Sequence, residues 1–175
     1  IGEECKNKEK YLGLNKVYEI EVLLGIETDS QDILGMITKV DIEKSKEIDV
    51  EKYIGKFEQK YPRYSSKIIA MREIPDVDEM PTKDVEIYSI EKLVERKISG
   101  EEIAIDSIEK ILKVTGDFRQ KEIIEEWQTF AGEFARMDFN ITKLRVKCSS
   151  GTYMRSLAHN MGGLAYSIKR VSIDF

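Results

Sequence analysis

The stretch FNITKLRVKCSSGTYMRSLAHNMG, residues 139–162, places a strand, a bend and a helix in direct succession. Apolar and polar residues alternate from about Phe139 to Cys148, and this period of two predicts a strand. The apolar phase changes between Ile141 and Leu144, which predicts a β-bulge in that strand.

A helix is expected after the bend of residues 149–152. Apolar residues recur there at the spacing i, i+3, i+4 and i+7, at Met154, Leu157, Ala158 and Met161. This spacing predicts a helix that begins close to Thr152 and buries its apolar face. Tyr153 and Arg155 lie outside the buried stripe, so both are candidates for a functional surface.

Further elements precede this stretch. Period-two alternation predicts a half-buried strand over Lys16–Leu24 and shorter strands near Met36–Val40, Lys67–Met71 and Lys83–Ile90. Between the second and third of these, apolar residues at helical spacing predict an amphipathic helix from a cap on Asp49 to residue 60 or 61.

Residues 97–136 predict two consecutive helices. Ser99 and Glu102 form a capping box for the first, which extends to about Thr115, and Asp117 with Gln120 repeats the device for the second. The second helix carries an apolar row on one side, at Ile123, Trp127, Phe130 and Phe134. The expected role of that row is core packing rather than ligand binding.

Helices interrupt the strands at irregular intervals, without a regular βαβ repeat. This order predicts the α+β class, with a mixed, mainly antiparallel central sheet flanked by helices. With 175 residues and 41% hydrophobic content, the chain can bury one cooperative core, so we expect a single domain over residues 1–175. We also expect a monomer.

The composition excludes several classes of protein. Cys5 and Cys148 lie far apart and form no CxxC pair, so neither a disulfide framework nor a zinc site is indicated. No apolar run approaches 18 residues, and we expect a cytoplasmic protein without a membrane segment. The motifs GxxxxGK[ST], GxGxxG, HExxH and DxDxDG are absent, and His159 is the only histidine. We therefore expect no cofactor and no metal.

Charge is distributed unevenly along the chain. Residues 139–173 contain six basic residues and no acid, although the whole chain has 33 acids against 28 bases. An acidic protein with such a basic end can still meet a phosphate backbone.

The bend itself has two readings. Ser149, Ser150, Gly151 and Thr152 offer hydroxyls and backbone N–H groups that suit an anion, but an ordinary helix cap would look the same. The neighbouring side chains favour the first reading, since Tyr153 can stack on a base or accept a proton and Arg155 can pair with a carboxylate or phosphate.

Two other features are open to alternative interpretations. A second basic segment contains Lys60, Arg63, Lys67 and Arg72 with interleaved Tyr61 and Tyr64. It predicts either an RNA-binding surface or the solvated edge of a strand. Tyr18 shares the apolar face of its strand, which is typical of a core tyrosine, yet its place near the strand's start would also suit a cleft.

Three separated stretches resemble one family in order. IGEECKNKEKYLGLNKVYEIEVLLGIETDSQDILG is similar to the segment around the K-x-Y strand and the T-D-S-x-D-x-x-G turn of TruB-type tRNA pseudouridine synthases. PRYSSK is similar to their P-x-Y-S-A-x-K, and CSSGTYMRSL to their C-S-x-G-T-Y-I-R-[ST]-L. With the closing AYSIKRVSIDF, the resemblance covers roughly half of the chain.

The resemblance implies a pseudouridine synthase-like fold and a cofactor-free isomerisation of uridine 55 in the TΨC loop of tRNA, reached by base flipping. It implies that Tyr18 stacks on the uridine, Ile168 lines the pocket, Tyr153 lies near the base for the final proton removal, and Arg155 orients a catalytic aspartate. The residues expected to contact RNA are Lys16, Arg63, Tyr64, Lys67, Lys147, Ser150, Lys169 and Arg170.

The chain also departs from the family pattern. The catalytic aspartate of the family lies in a G-x-L-D-P-x-A motif, and the 175 residues contain no such motif, so we expect it upstream of Ile1. The join at Gly162-Gly163 is shorter than the family's helix-to-strand connection. Residues 97–136 form an insertion without counterpart in the pattern, and we expect no C-terminal RNA-binding appendage after Phe175.

Two rival functions remain open from the sequence. One is a non-catalytic RNA-binding or tRNA-chaperone module that lacks the nucleophile. The other is a protein-interaction domain built around the two-helix insertion.

Overall fold

The computed structural model describes residues 13–44, 47–71, 75–76 and 79–174. Seven strands occur in these ranges: β1 (Asn15–Leu24), β2 (Ile26–Thr28), β3 (Ile37–Val40), β4 (Gly55–Lys60), β5 (Thr82–Ser99), β6 (Asp138–Cys148) and β7 (Gly163–Asp174). Five of them form a sheet in the order β4-β5-β6-β1-β7, and every pairing in it is antiparallel. The predicted α+β class with a mainly antiparallel sheet is confirmed.

Four α-helices accompany the sheet in the described ranges: α1 (Ser66–Ile69), α2 (Gly100–Leu112), α3 (Gln120–Phe134) and α4 (Met154–Asn160). The capping box of α2 is as predicted, because the Ser99 side chain accepts from the Glu102 N–H and the Glu102 carboxylate accepts from the Ser99 N–H. None of these helices has the length and apolar character needed to cross a membrane.

Both faces of the central strands are buried. Successive residues of a strand point to opposite faces, and in β1 Val22 and Leu23 are both fully buried. Val22 belongs to a first core with Ile20, Leu144, Val146, residues 154, 157 and 158 of α4, and Met161 directly after that helix. Leu23 belongs to a second core with residues of α2 and α3.

The two predicted helices of residues 97–136 supply the cover of the second core. Ile103, Ile111, Ile123 and Trp127 pack there against Phe139 and Ile141 of the sheet. The indole N–H of the fully buried Trp127 donates to the Ile33 carbonyl oxygen at 3.3 Å. The predicted packing role of the apolar row in α3 is therefore confirmed.

A polar contact also attaches α2 to β7. The Tyr166 hydroxyl donates to the Asp106 carboxylate, and the Lys110 ammonium lies 2.7 Å from the same carboxylate. Burial and the Asp106 hydrogen bond both raise the pKa of Tyr166. The insertion is thus joined to an edge strand of the sheet as well as to its middle.

The predicted helix from Asp49 to residue 60 or 61 is wrong. Only Val50–Tyr53 forms a 3-10 turn, and β4 follows from Gly55, whose φ is 118°. Phe57 and Gln59 turn inward while Lys56, Glu58 and Lys60 are exposed, so the segment also has period two. The apolar spacing fits both a helix and a strand. The pairing of this segment with β5 decides in favour of the strand.

The predicted strand at Lys67–Met71 is also wrong. Ser65 caps a single helical turn, α1, with its hydroxyl accepting from the Ile68 N–H. In contrast, the strand predicted to end at Ile90 continues to Ser99, because β6 supplies an antiparallel partner along its whole second half. Period-two patterning missed this extension, since most side chains over residues 91–97 lie at least partly in solvent.

The predicted bulge in β6 is wrong. β6 pairs with β1 in continuous register from Lys16–Cys148 to Leu23–Ile141, and in its pairing with β5 the extra residues belong to β5. The other register shifts of the sheet lie between β1 and β7. The apolar phase of β6 changes because Ile141 points to the second core and Leu144 to the first.

The second helix of the insertion begins differently from the prediction. The cap position of α3 is Arg119, in a left-handed conformation with φ 68° and ψ 30°, and no described side chain caps this helix. The Gln120 side chain instead accepts from the Phe118 N–H at 2.9 Å. Asp117 therefore does not repeat the device that starts α2.

The short join between α4 and β7 is a tight turn. Gly162 has a φ of 89°, and its carbonyl oxygen accepts from the Gly25 N–H at 3.1 Å. A Cβ added at Gly163 would lie 2.0 Å from the Leu23 carbonyl oxygen, so a side chain there would collide with backbone. Glycine is thus favoured at position 162 by the left-handed backbone and required at position 163 by the close approach to β1.

We expect Trp127→Ala to lower the free energy of unfolding by about 3–5 kcal/mol, because it opens a cavity in the second core and removes the hydrogen bond to Ile33. Urea unfolding followed by circular dichroism measures the change. Lys121→Ala, at an exposed position of the same helix, is the control and should shift the free energy by no more than about 0.5 kcal/mol. Equal effects of the two substitutions would contradict a core role for α3.

Candidate active site

The bend between β6 and α4 is fixed to the neighbouring strand. The Ser149 N–H donates to the Glu86 carbonyl oxygen at 2.8 Å, and the Ser149 hydroxyl accepts from the Glu86 N–H at 2.9 Å. The Thr152 hydroxyl donates back to the Ser149 carbonyl oxygen at 2.9 Å. The start of α4 is therefore held in a defined position against β5.

Two lysines contact the bend at Ser150. The Lys16 ammonium donates to the Ser150 hydroxyl at 3.0 Å and to the Leu14 carbonyl oxygen at 2.6 Å, while Lys83 donates to the Ser150 carbonyl oxygen at 3.0 Å. Lys16 is only 7% exposed. Burial lowers its pKa, and the positive charges of Arg170 and Lys83 lower it further.

Tyr153 is placed at the start of α4 by a buried glutamine. Its N–H donates to the Gln59 side chain at 2.8 Å, and its carbonyl oxygen accepts from the Gln59 amide at 3.0 Å. Its ring meets the edge of Tyr61, with the centroids 5.3 Å apart, and Lys67 donates to the Tyr61 hydroxyl at 3.0 Å. The second basic segment of the sequence thus reaches Tyr153.

Arg155 joins three parts of the chain. One guanidinium nitrogen, Nη1, lies 3.2 Å from the Asp32 carboxylate and donates to the Ser30 carbonyl oxygen at 3.1 Å. The other, Nη2, donates to the Tyr64 main-chain oxygen at 3.3 Å. The side chains of Arg155 and Asp32 are 21% and 18% exposed, so the ion pair is largely shielded from water.

The Arg155 guanidinium retains donor capacity after these contacts. An arginine has five N–H donors, and three of them bind Asp32, Ser30 and Tyr64. Within the described part of the chain, the Nε donor and one Nη2 donor make no further contact. A second carboxylate or a phosphate could therefore still bind Arg155.

The turn of residues 29–36 holds Asp32 in place. One Asp32 oxygen accepts from the Ser30 hydroxyl at 2.6 Å and from the Leu34 N–H at 3.0 Å, which leaves the other for Arg155. Gln31 has a left-handed φ of 64°, and its side chain accepts from the Ser156 hydroxyl of α4 at 2.9 Å. The turn is thus attached to α4 through Ser30, Gln31 and Asp32.

Tyr18, Ile168 and Arg170 lie on the face of the sheet that α4 covers. Ile168 is the partner of Ile20 in β1, and Arg170 is the partner of Tyr18, so their side chains share one face. Tyr18 is half-buried against the first core. Burial raises the pKa of its phenol, and the positive charge of Arg170 lowers it in part.

Other predicted basic residues lie elsewhere. Lys169 is the partner of Glu19 and so projects from the face opposite to Arg170. On that opposite face, Glu19 pairs with Lys143 and Arg145, at 2.9 Å each, and their hydrogen bonds lower its pKa. Lys147 belongs to the same row of β6. The acid-free segment is therefore partly neutralised by acids from other strands.

Arg63 and Tyr64 lie between β4 and α1. Arg63 is exposed, while the Tyr64 hydroxyl donates to the Asp29 carboxylate at 3.2 Å. Arg72, which belongs to the same basic segment, lies outside the described residues.

Sequence reasoning missed three residues of this cluster. Asp32 was noted only as part of a turn, and the ion pair with Arg155 spans more than a hundred residues. Gln59 was assigned to a helix, although its alternation with Phe57 was a signal for an inward position on a strand. Lys83 carried no signal, because its contact with Ser150 depends on the pairing of β5 with β6.

The fold and the site together define an α+β protein whose polar cluster lies where a helix leaves an antiparallel sheet. Residues 1–107 match the family model described as TruB family pseudouridylate synthase (N terminal domain). The chain belongs to this TruB family.

Several curated proteins are similar to the chain. The tRNA pseudouridine synthase B of Endomicrobium trichonymphae is 30% identical over 170 residues, which cover 94% of this chain and 58% of that protein. The protein of the same name from Clostridium acetobutylicum is 26% identical over 183 residues, covering 98% and 50%. That from Thermosipho melanesiensis is 34% identical over 92 residues, covering 47% and 30%. The chain spans about half the length of the curated relatives that it matches along most of its own length.

The Asp32–Arg155 pair should be energetically coupled. We expect Asp32→Ala to lower the free energy of unfolding more in the wild type than in an Arg155→Ala background. In the wild type, the substitution leaves a shielded guanidinium without its carboxylate. A double-mutant cycle by urea unfolding should give a coupling energy of about 0.5–3 kcal/mol. Strictly additive losses would show that the two side chains do not stabilise each other.

Proposed function

We propose that this chain forms part of the catalytic domain of a tRNA pseudouridine synthase that isomerises uridine 55 in the TΨC loop. In this reaction the bond between N1 of uracil and C1′ of ribose breaks, and a bond between C5 and C1′ forms. A proton leaves C5 and one is gained at N1, so the reaction needs no co-reactant. The observation that carries the proposal is that, in a member of the TruB family, Tyr153 and Arg155 lie at the start of α4 and Tyr18 lies on the face of the sheet that α4 covers.

A flipped uracil would need an apolar floor and an aromatic face. Tyr18 and Ile168 share the face of the sheet from which α4 begins, and Ile168 is 42% exposed although it is apolar. Tyr153 is held rigidly through its backbone by Gln59, which leaves its phenol ring to meet the base. In the proposed reaction Tyr153 stands near C5 for the final proton removal.

Arg155 would position the carboxylate that attacks the nucleoside. Asp32 and two carbonyl oxygens fix one part of its guanidinium, and its Nε and one Nη2 donor remain for a second carboxylate. The 175 residues contain no G-x-L-D-P-x-A motif, so in this proposal that aspartate comes from sequence upstream of Ile1. The names of the relatives support the same activity, each being a tRNA pseudouridine synthase B.

The surface that receives the tRNA would extend from Arg63 and Lys67 across Tyr61 to the bend at Ser150. Lys67 and Tyr61 contact each other beside Tyr153, and Lys16 and Lys83 contact the bend. Arg170 lies next to Tyr18 on the same face. The row of Lys143, Arg145, Lys147 and Lys169 is on the other face, so it would act by long-range attraction.

The decisive experiment uses the protein expressed from its complete reading frame and a TΨC stem-loop transcript. Pseudouridine at position 55 has the mass of uridine, so it is detected by mass spectrometry of nuclease fragments after carbodiimide derivatisation and alkaline treatment, which leave a label on pseudouridine and not on uridine; such a label supports the proposal. Tight binding of the transcript without any product would favour the non-catalytic RNA-binding module instead. Absence of both binding and product would favour a protein-interaction domain.

Arg155→Ala should reduce turnover far more than affinity for the transcript. Because Arg155 is assigned to a carboxylate rather than to a phosphate, we expect a loss of at least about a hundredfold in the single-turnover rate. The dissociation constant, measured by filter binding, should change by less than about threefold. Equal losses in rate and affinity would place Arg155 on the RNA backbone.

Arg63→Ala should weaken binding in a salt-dependent way, since exposed Arg63 is proposed to contact a phosphate. The slope of log affinity against log salt concentration should become shallower by about one unit. Lys121→Ala, which removes a charge from the insertion, is the control and should leave the slope unchanged. An unaltered slope in Arg63→Ala would remove that residue from the proposed RNA surface.

A further inference from the structure

Arg119 adopts a backbone conformation that arginine rarely takes. It lies at the start of α3 with φ 68° and ψ 30°, in the left-handed region that glycine adopts without cost. Such outliers persist only where the surrounding structure fixes them, and they point to a role for the side chain. The turn that begins α3 could be made more easily with glycine at this position.

The Arg119 side chain leaves the insertion and contacts the turn that contains Asp32. Its Nη2 lies 2.9 Å from the Asp29 carboxylate, and its guanidinium carbon lies 5.3 Å from the centroid of the Tyr64 ring. The Tyr64 hydroxyl donates to the same Asp29 oxygen at 3.2 Å. One carboxylate oxygen thus binds both an arginine and a tyrosine.

The residues that Arg119 contacts either bind Arg155 or adjoin a residue that does. The main-chain oxygen of Tyr64 accepts from Arg155, and so does the main-chain oxygen of Ser30, the residue after Asp29. Arg119 therefore fixes the two segments that supply both carbonyl ligands of the Arg155 guanidinium. The other Asp29 oxygen accepts from the Met36 N–H at 2.9 Å, which closes the turn.

Two further contacts attach α3 to the same turn. The Ile37 N–H donates to the Glu126 carboxylate at 2.6 Å, and Trp127 donates to the Ile33 carbonyl oxygen. Together with Arg119, they join the helix to residues 29, 33 and 37. The turn is thus bounded by α4 on one side and by the insertion on the other.

The charge of the insertion does not favour a direct contact with RNA. Residues 100–136 contain nine acidic and five basic residues. A tRNA would be repelled rather than attracted by such a segment. Arg119 itself is turned toward Asp29 and Tyr64.

We propose that Arg119 is a positioning residue for pseudouridine formation, through which the two-helix insertion sets the orientation of Arg155. The effect of Arg119 on the reaction rate rests on the proposed function. The orientation of Arg155 can be measured without any activity.

The test compares Arg119→Gly with the wild type in the protein expressed from its complete reading frame. Glycine keeps the left-handed turn but removes the whole side chain with its ion pair to Asp29, so relief of the backbone conformation offsets part of that loss and the midpoint of urea unfolding should change little. The single-turnover rate on the TΨC transcript should fall about tenfold, while the dissociation constant changes by less than about twofold. Arg119→Lys, which keeps the charge without the planar fork, should show an intermediate rate.

Two variants complete the kinetic design. Asp29→Asn should lose a similar fraction of the rate, and the Arg119→Gly/Asp29→Asn double variant should lose no more than either single variant. Lys121→Ala, two residues from Arg119, is the matched control and should keep wild-type rate and affinity. An unchanged rate in Arg119→Gly, or a loss confined to RNA affinity, would overturn the proposal.

NMR of ¹⁵N-labelled arginine separates this inference from the proposed function. In the wild type, the Arg155 guanidinium should show distinct Nη signals because its rotation is restrained, and Arg119→Gly should bring these signals into exchange. Unchanged Arg155 signals would overturn the inference whatever the activity. A wild type that forms no pseudouridine, with Arg155 signals that still respond to Arg119→Gly, would refute the proposed activity and support the coupling.

Discussion

The structure depends on a sheet that carries apolar side chains on both of its faces, so each face must be covered by helices. β1 and β6 run side by side in the middle, and each contributes alternate residues to two separate cores. One cover is the short helix α4, and the other is the pair α2 and α3. Because the polar cluster lies where α4 leaves the sheet and where α3 reaches the turn of residues 29–36, its geometry follows from both covers.

At this cluster, the guanidinium of Arg155 connects segments of the chain that are distant in sequence. Arg155 binds a carboxylate and a carbonyl of one turn and a carbonyl of the segment between β4 and α1. The three residues that supply these groups each make a further side-chain hydrogen bond, Asp32 with Ser30 and Tyr64 with Asp29. Such shared restraint is what holds a reactive group in one orientation within a site.

The sequence was most informative where a pattern belonged to one element alone. The strand from Lys16, the capping box at Ser99 and the helix after Thr152 could all be predicted, because alternation, capping chemistry and helical spacing act locally. β4 could not, since Phe57 satisfied both helical and alternating spacing and only the pairing with β5 decides between them. The ion pair of Arg155 with Asp32 could not be predicted either, because it depends on how a turn near residue 30 packs against a helix near residue 155.

Tyr153 and Arg155 were singled out by their position beside a buried stripe, and that placement is correct. Their proposed roles come from family resemblance.

The two-helix unit departs from the sheet and returns to it at neighbouring residues. Ser99, the last residue of β5, is the partner of Asp138, the first residue of β6. The unit therefore closes a loop whose two ends already lie side by side, and its presence does not alter the hydrogen-bond register of the strands. In evolution, such a unit can be acquired or lost between these two positions without a shift in the rest of the sheet. A relative that lacks it would have to bury Leu23, Phe139 and Ile141 under a different segment, and would have to fix the turn before β3 by another means.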